Sequence, residues 1–504
     1  MEILTFVKDG FAALASFNVI IAMVIGVILG TIFGALPGLS ATTGMALLLP
    51  IAYKMDVMVA LGMLGGIYAG ALYGGSISAI LLGIPGTAAA LPTTFDGFPM
   101  SRKGRPTEAL LAGLYGSSIG GVFSALVLMF LTPVIGAIAI RFGAPEMFAL
   151  GVWGISMVSG VVGGDVVKGL FMAVLGLLVG MVGADSVYGF ARFTFGSIYL
   201  YGGIKLVPVI LGFLAMPKVL EMVEELKSGK QFFMPAQEKK YFLRFGEVIR
   251  YGVTIIRSAV VGCIIGIAPA AGPGIASMLC YNLAKKGAKD PDSFGEGNVE
   301  GVWASETANN AATGGSLVFA LSLGIPGSAA AAVLMSALVM RGIQPGPMLL
   351  NSNHTLVYGF FAAFLIVNVL VFLFGHGFVQ FGSQVLKVPV QYLCPAIIVI
   401  CVIGAFSDSS MFGMWCMLFL CLAGYLLVKM KFPVAPFMLS LILVSMIERN
   451  FWSAYSMTRG NLLLVFTRPM FLIILFVVIA TFAAGPIKKA IGKKKNGKQD
   501  KETN

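Results

Sequence analysis

Glu306, Asn309, Asn310 and Thr313 stand at i, i+3, i+4 and i+7 in the run Ala304-Ser-Glu-Thr-Ala-Asn-Asn-Ala-Ala-Thr313. On a helix they share one face, and the other positions are mostly alanine. A carboxylate facing lipid costs about 2.5–3.5 kcal/mol or more, so in an apolar chain this face has to meet a cavity or a polar partner. A second candidate is Gly34-Ala-Leu-Pro37-Gly38-Leu-Ser40-Ala-Thr42-Thr43-Gly44. Proline removes a backbone donor and glycine loosens the chain, so a helix breaks there. The break frees backbone N–H groups, a helix N-terminus and three hydroxyls, which suit an anionic substrate or a dehydrated cation. Gly266-Ile-Ala-Pro269-Ala-Ala-Gly272-Pro273-Gly274 is a comparable break later in the chain.

A further pair of motifs sets Ser76, Ser78 and Gly83-Ile-Pro85-Gly86-Thr87 against Ser316, Ser322 and Gly324-Ile-Pro326-Gly327-Ser328. Each ends on a hydroxyl after proline-glycine, able to coordinate Na⁺ beside exposed carbonyls or to cap the next helix. The candidate substrate-binding residues are therefore Pro37, Gly38, Ser40, Thr42, Thr43, Gly86, Thr87, Gly272, Gly274, Asn309, Asn310, Gly327 and Ser328. The candidate ion-coupling residues are Ser76, Ser78, Thr87, Glu306, Asn310, Ser316 and Ser328. Hydroxyls, amides and carbonyls occur in both sets of motifs, so Na⁺ is the expected coupling ion. Glu306 is the one acid in them and makes H⁺ the alternative. No other cofactor is expected.

Enzyme chemistry has no comparable footing. His354 and His376 are too far apart for an i, i+4 metal pair, and neither a G-x-S-x-G elbow nor a P-loop is present. Asp290, Asp292, Glu296 and Glu300 follow Lys285, Lys286 and Lys289 and read as a solvated loop. The six cysteines lie in apolar surroundings without a CxxC and read as buried thiols.

The elements that must position these residues are membrane helices. Of 504 residues, 58% are apolar and 11% charged, with a mean hydropathy of +0.94. Soluble chains carry about a quarter charged residues, so a soluble multidomain enzyme is excluded. The apolar stretches leave room for about ten to twelve crossings of a ~30 Å hydrocarbon core. The first span runs from about Phe11 to Phe33 and lacks the basic n-region and cleavage site of a signal peptide. The net charge of +12 is concentrated in short breaks and in seven lysines from Lys488 to Lys501, which is a topology signal rather than nucleic-acid binding.

The motifs recur in order. Gly262, Gly266 and Pro269 repeat Gly30, Gly34 and Pro37 at a displacement of 232, and the GGS and GIPG elements repeat at 240 and 241. This is an internal duplication. Basic loops exchange places between the copies: Lys54 is balanced by Asp56 where the second copy has Lys285, Lys286 and Lys289, and Arg102, Lys103 and Arg105 face a lone Arg341. Because basic loops stay cytoplasmic, the repeats have inverted topology, with the site expected at their interface. The expected fold is an all-α polytopic membrane protein with broken or re-entrant segments and two inverted-topology repeats. The first half is 1–216, with breaks at 34–50 and 74–94, and a cytoplasmic interfacial linker covers 217–250. The second core is 251–382, with breaks at 266–282 and 314–332, followed by C-terminal helices over 383–486 and a basic cytoplasmic tail over 487–504.

GALPGLSATTGMALLLP, YAGALYGGSISAILLGIPGT, TTFDGFPMSRKG, EGVWASETANNAATGG and LGIPGSAAAAVL with QPGP closely resemble the signature segments of one family, over approximately residues 15 to 440. That family is the large membrane subunit of tripartite tricarboxylate transporters, the TctA type. The chain departs from the family's pattern at Ser305, at Val318-Phe319 and at Ala268-Pro269-Ala270-Ala271-Gly272. The resemblance implies a bacterial inner-membrane permease that imports carboxylates on an ion gradient. It also implies a small membrane subunit of the TctB type and a periplasmic solute-binding protein of the TctC type. By looser analogy, the broken segments would move together in an elevator-like alternating access. A stand-alone carrier or channel for small organic anions is the alternative.

Overall fold

The computed structural model describes residues 2–36, 39–161, 166–185, 188–227, 243, 245–269, 271–385, 390–476 and 478–479. The chain is an all-α polytopic membrane protein. Seven helices among the described residues are long and apolar enough to span a bilayer, and four shorter apolar helices accompany them. The first span begins at Phe17 rather than Phe11, because a short helix, α1 (Glu2–Ala13), ends before Ser16.

The chain forms two compact units, residues 1–139 with 204–431, and 140–203 with 432–504. The first unit opens with α1, α2 (Phe17–Ala35), α3 (Ala41–Lys54), α4 (Val57–Leu82), α5 (Leu91–Arg102) and α6 (Pro106–Ala139). The second unit contributes α7 (Ala144–Val161), α8 (Val166–Gly180), a two-residue strand pair joining Gly183–Ala184 to Ala191–Arg192, and α9 (Ile198–Tyr201). The first unit resumes with α10 (Leu206–Ile210), α11 (Met216–Lys227), α12 (Phe245–Arg250), α13 (Gly252–Ile267), α14 (Gly272–Gly287) and α15 (Val299–Leu323). It ends with α16 (Ala329–Val339), α17 (Leu349–Ser352), α18 (His354–Val385) and α19 (Val390–Lys429), before α20 (Val434–Met457) returns to the second unit. Within the second unit, Glu146 pairs with Arg468 at 2.7 Å and Arg192 pairs with Glu448. Of the expected linker, residues 228–242 and 244 lie outside the described residues, as does the tail over 487–504.

Glycine decides how the helices of the first unit approach. Gly26, Gly30 and Gly34 lie against the backbone of Met63, Ile67 and Ala71, so α2 and α4 run parallel. Gly44 abuts Phe33 and Ile67, so α3 doubles back along α2. The pair is a helical hairpin. The second repeat copies it. Gly262 and Gly266 lie against Ala308 and Ala312, with α13 parallel to α15. Helix α14 runs back along α15, since Cys280 packs with Ala308 and Ala312 while Ala284 packs with Ala304.

Helices α4 and α15 end alike, at Gly83 with φ 69° and Gly324 with φ 77°. An L-residue there would cost about 1–2 kcal/mol. The chain then folds back, so that Gly86 N–H donates to Gly75 O at 3.3 Å and Gly327 N–H donates to Ser316 O at 3.1 Å. These contacts fix the register of the repeat. Ile67, Ala71, Gly75 and Gly86 correspond to Ala308, Ala312, Ser316 and Gly327 at a constant displacement of 241 (308−67, 312−71, 316−75, 327−86). The displacement of 240 read from the GGS triplets is therefore corrected: Ser316 is equivalent to Gly75, and Ser76 to Leu317. Backbone approach sets the register, and a one-residue offset in a run of small residues is silent in sequence.

Helices α4 and α15 cross antiparallel. Tyr68 Oη meets Ser316 Oγ at 2.9 Å, and four residues on along α4, Leu72 O accepts from Asn309 Nδ2 at 3.4 Å. Equivalent loops accordingly sit at opposite ends of the pair. At one end Lys103 Nζ donates to Glu296 O, and at the other Arg341 reaches the carbonyls of Ala52, Tyr53 and Met55 that close α3.

Candidate functional site

The breaks of the two repeats meet at the start of α14. Gly272, with φ 61°, has Ser328 and Gly327 nearest to where a side chain would begin, and Gly274 has Ala88 and Ala89 nearest. Ser328 belongs to the same repeat as α14, whereas Ala88 follows the first-repeat GIPGT motif. Gly86 is pressed on the Gly34 carbonyl and Gly327 on the Gly266 carbonyl, so each proline-glycine turn is seated on the end of its own repeat's first hairpin helix. Helix N-termini leave their first N–H groups without intrahelical partners, and those of α14 and α16 begin in this region.

Hydroxyls divide by role. Ser40 caps α3, its Oγ accepting from Thr43 N–H at 3.2 Å and lying 3.1 Å from Thr43 Oγ1. Thr42 beside it is half-buried. Ser328 caps α16 by accepting from Ala331 N–H at 3.1 Å, and Tyr68 Oη lies 2.8 Å from the same Oγ. Tyr68, Ser316 and Ser328 thus form one cross-repeat cluster. Ser76 and Ser78 donate instead to the carbonyls of Tyr73 and Gly75, three residues back on their own helix. Thr87 is 4% exposed and its Oγ1 has no partner. Pro37 and Gly38 lie outside the described residues.

The polar face of α15 is buried along its length. Thr93 donates to Glu306 Oε1, Ser117 donates to Oε2 at 3.0 Å, and Asn309 Nδ2 donates to Oε2 at 3.4 Å. Glu306 thereby joins α5 and α6 to α15. Asn310 is 1% exposed, and neither its Nδ2 nor its Oδ1 has a partner; Asn309 Oδ1 has none either. Thr313 donates to Asn310 O at 2.6 Å. Glu306 and Ser316 are ten residues apart on one helix, about 15 Å at 1.5 Å per residue. The candidate residues therefore fall into two groups along α15, one around Glu306 and Asn309 and one around Ser316 and Ser328. Among the described residues no cluster of His, Cys, Asp and Glu is placed to hold a metal ion.

Four polar residues were absent from the sequence-derived set. Tyr68, Thr93 and Ser117 carry no signal until α4, α5 and α6 are brought against α15. Asp96 had one, being the single charged residue between Asp56 and Arg102. It is fully buried, and its Oδ1 accepts from the N–H groups of Gly295, Gly297 and Asn298 at 2.8–2.9 Å while its Oδ2 accepts from Tyr281 Oη.

Residues 20–439 match the family model described as "Tripartite tricarboxylate transporter TctA family". The chain belongs to the TctA family. Two relatives come from Agrobacterium vitis. One, described as a 52.8 kDa protein in the TAR-I ttuC' 3'region, is 35% identical over 482 residues, 95% of each chain. Another, described as a protein in the TAR-II ttuC' 3'region, is 31% identical over 210 residues, 42% of this chain and 87% of the relative. No solved structure matches. Membership makes the chain a large transporter subunit in a family of tripartite systems.

Proposed function

We propose that the chain is the permease subunit of a binding-protein-dependent secondary transporter that imports di- or tricarboxylates, driven by an ion gradient. The observation that carries this reading is the meeting of Gly272 and Gly274 with Ser328 and Ala88, which sets broken backbone from both repeats around one place. Repeat interfaces with broken helices are where secondary transporters bind substrate.

The segments 34–44, 74–87, 266–274 and 314–328 contain no Lys or Arg. A carboxylate is then held by helix N-termini and loosened N–H groups, each of modest strength. Affinity within the membrane is low, and a TctC-type periplasmic protein that captures the substrate and hands it on compensates. A TctB-type small membrane subunit completes the assembly in the bacterial inner membrane. Loops bearing Arg102, Lys103, Arg105, Lys285 and Lys286, and the basic C-terminal tail, face the cytoplasm. The broken segments move together as one block in an elevator-like cycle. The Asp96 clamp favours this, because it ties α5 of one repeat to the loop before α15 of the other.

The test is uptake of labelled citrate and C4-dicarboxylates into proteoliposomes holding the permease with both partners, under Na⁺ or H⁺ gradients. Uptake is expected only with the binding protein present. Equal uptake without it would replace this reading by a stand-alone carrier.

A further inference from the structure

Asn309 and Tyr68 occupy equivalent positions in the two repeats (309−68 = 241), and their difference gives the two halves of the site opposite polarity. In the second-repeat half the long Tyr68 side chain reaches Ser316 and Ser328 and satisfies their hydroxyls. In the first-repeat half the shorter Asn309 commits its Nδ2 to Leu72 O and Glu306 Oε2, both at 3.4 Å. Two acceptors on one nitrogen fix the orientation of the amide and make its other atom a bare oxygen. That oxygen, Asn309 Oδ1, has no partner in a residue that is fully buried. Thr87, the equivalent of Ser328, packs its Oγ1 against Gly75, one turn of α4 beyond Leu72, and this oxygen is also unpartnered.

A bare buried acceptor costs about 1–3 kcal/mol. Two of them lie in this half, beside a carboxylate that none of the described ion pairs includes. The carboxylate and the amide oxygen, which only accept, repel an anionic substrate, and together with the hydroxyl oxygen they attract a dehydrated cation. We propose that Thr87 Oγ1 and Asn309 Oδ1, with Glu306 behind the Asn309 amide, form a Na⁺ site confined to the first-repeat half, while the Gly272–Ser328 half takes the substrate carboxylate. The residue after Thr87 touches Gly274 at the start of α14, so cation and anion bind on either side of one helix end. Each lowers the electrostatic cost of the other, which couples them. The proposal rests on the transporter reading of the site.

The experiment follows thermal unfolding of the purified protein as NaCl or KCl replaces choline chloride at fixed pH and ionic strength. Na⁺ is expected to stabilise the wild type and K⁺ is not. Asn309→Ala and the near-isosteric Thr87→Val should each raise the half-maximal Na⁺ concentration at least tenfold, and Ser328→Ala should leave it within twofold. If Asn309→Ala does not fold, Thr87→Val decides. A wild type indifferent to Na⁺, a Thr87→Val response equal to wild type, or an equal loss in Ser328→Ala overturns the proposal. Carboxylate uptake without any Na⁺ response removes the cation site and leaves the transporter reading standing; an intact Na⁺ response without uptake of any carboxylate does the reverse.

Discussion

Asp96 Oδ1 takes three backbone N–H groups from a loop 199–202 residues away, and two of the donors belong to glycines with φ near +100°. Removing the carboxylate leaves three donors without their acceptor; Gly295 is exposed and Gly297 and Asn298 are half-buried, so water can replace part of the loss, which would be about 1–3 kcal/mol per donor if all were buried. Asp96→Ala should therefore lower stability by about 1–3 kcal/mol, and Tyr281→Phe, which loses one hydrogen bond to Oδ2, by about 1 kcal/mol. Thermal unfolding of both variants in detergent measures this, and an Asp96→Ala protein as stable as wild type would mean that the clamp holds nothing together. A lone acid in an apolar stretch was visible in sequence. Its partners were not, because N–H groups carry no residue identity and any loop could have supplied them. Glu306 differs: its helical spacing from Asn309 was legible, and only the donors Thr93 and Ser117 awaited the fold.

Helices α2 and α13 approach α4 and α15 through equivalent glycines, with a side chain at Gly30 or Gly262 starting 2.6–2.7 Å from the carbonyl oxygen of Ile67 or Ala308. Backbone atoms cannot move aside as a flexible side chain would, so overpacking there costs about 1–3 kcal/mol or more. Gly30→Leu and Gly262→Leu should each lower the unfolding temperature, and by similar amounts because the two contacts are repeats of one another. A loss in one variant without the other, read by the same melt, would mean that the two hairpins are not equivalent. Sequence supplied the breaks and their order but not the direction of the chain after each break. Gly44 against Phe33 turns α3 back on α2; a straight continuation past Pro37 would have satisfied the same residues. Nor did hydropathy single out α15, whose asparagines, threonines and serines lower it although the helix is buried from Gly301 to Val318.

Equivalent loops at opposite ends of the α4–α15 pair make a prediction for the molecule in its membrane. Lys103 sits beside the loop that follows Lys286, while Lys54 belongs to the turn held by Arg341 at the other end. Single cysteines at Lys103 and Lys286 should react with an impermeant reagent from one face of the membrane, and a cysteine at Lys54 from the other. All three residues are exposed, so burial does not confound the labelling. Labelling of all three from the same side would contradict the antiparallel arrangement of the repeats.

Charge content, apolar length and the paired glycine-proline breaks determined by themselves that this is a helical membrane protein built from a duplicated unit, because each is a property of the chain that any compact state must accommodate. The family signature segments are likewise local in sequence. Tertiary structure alone decided the register of the duplication, the antiparallel crossing that joins Tyr68 to Ser328, and the unequal partners that leave Thr87 and Asn309 with bare oxygens. Those depend on which helices share a face, and the free energy of such a choice is spread over backbone contacts such as Gly30 with Ile67, 37 residues apart, and side-chain contacts such as Tyr68 with Ser328, 260 residues apart, where no short-range pattern records it.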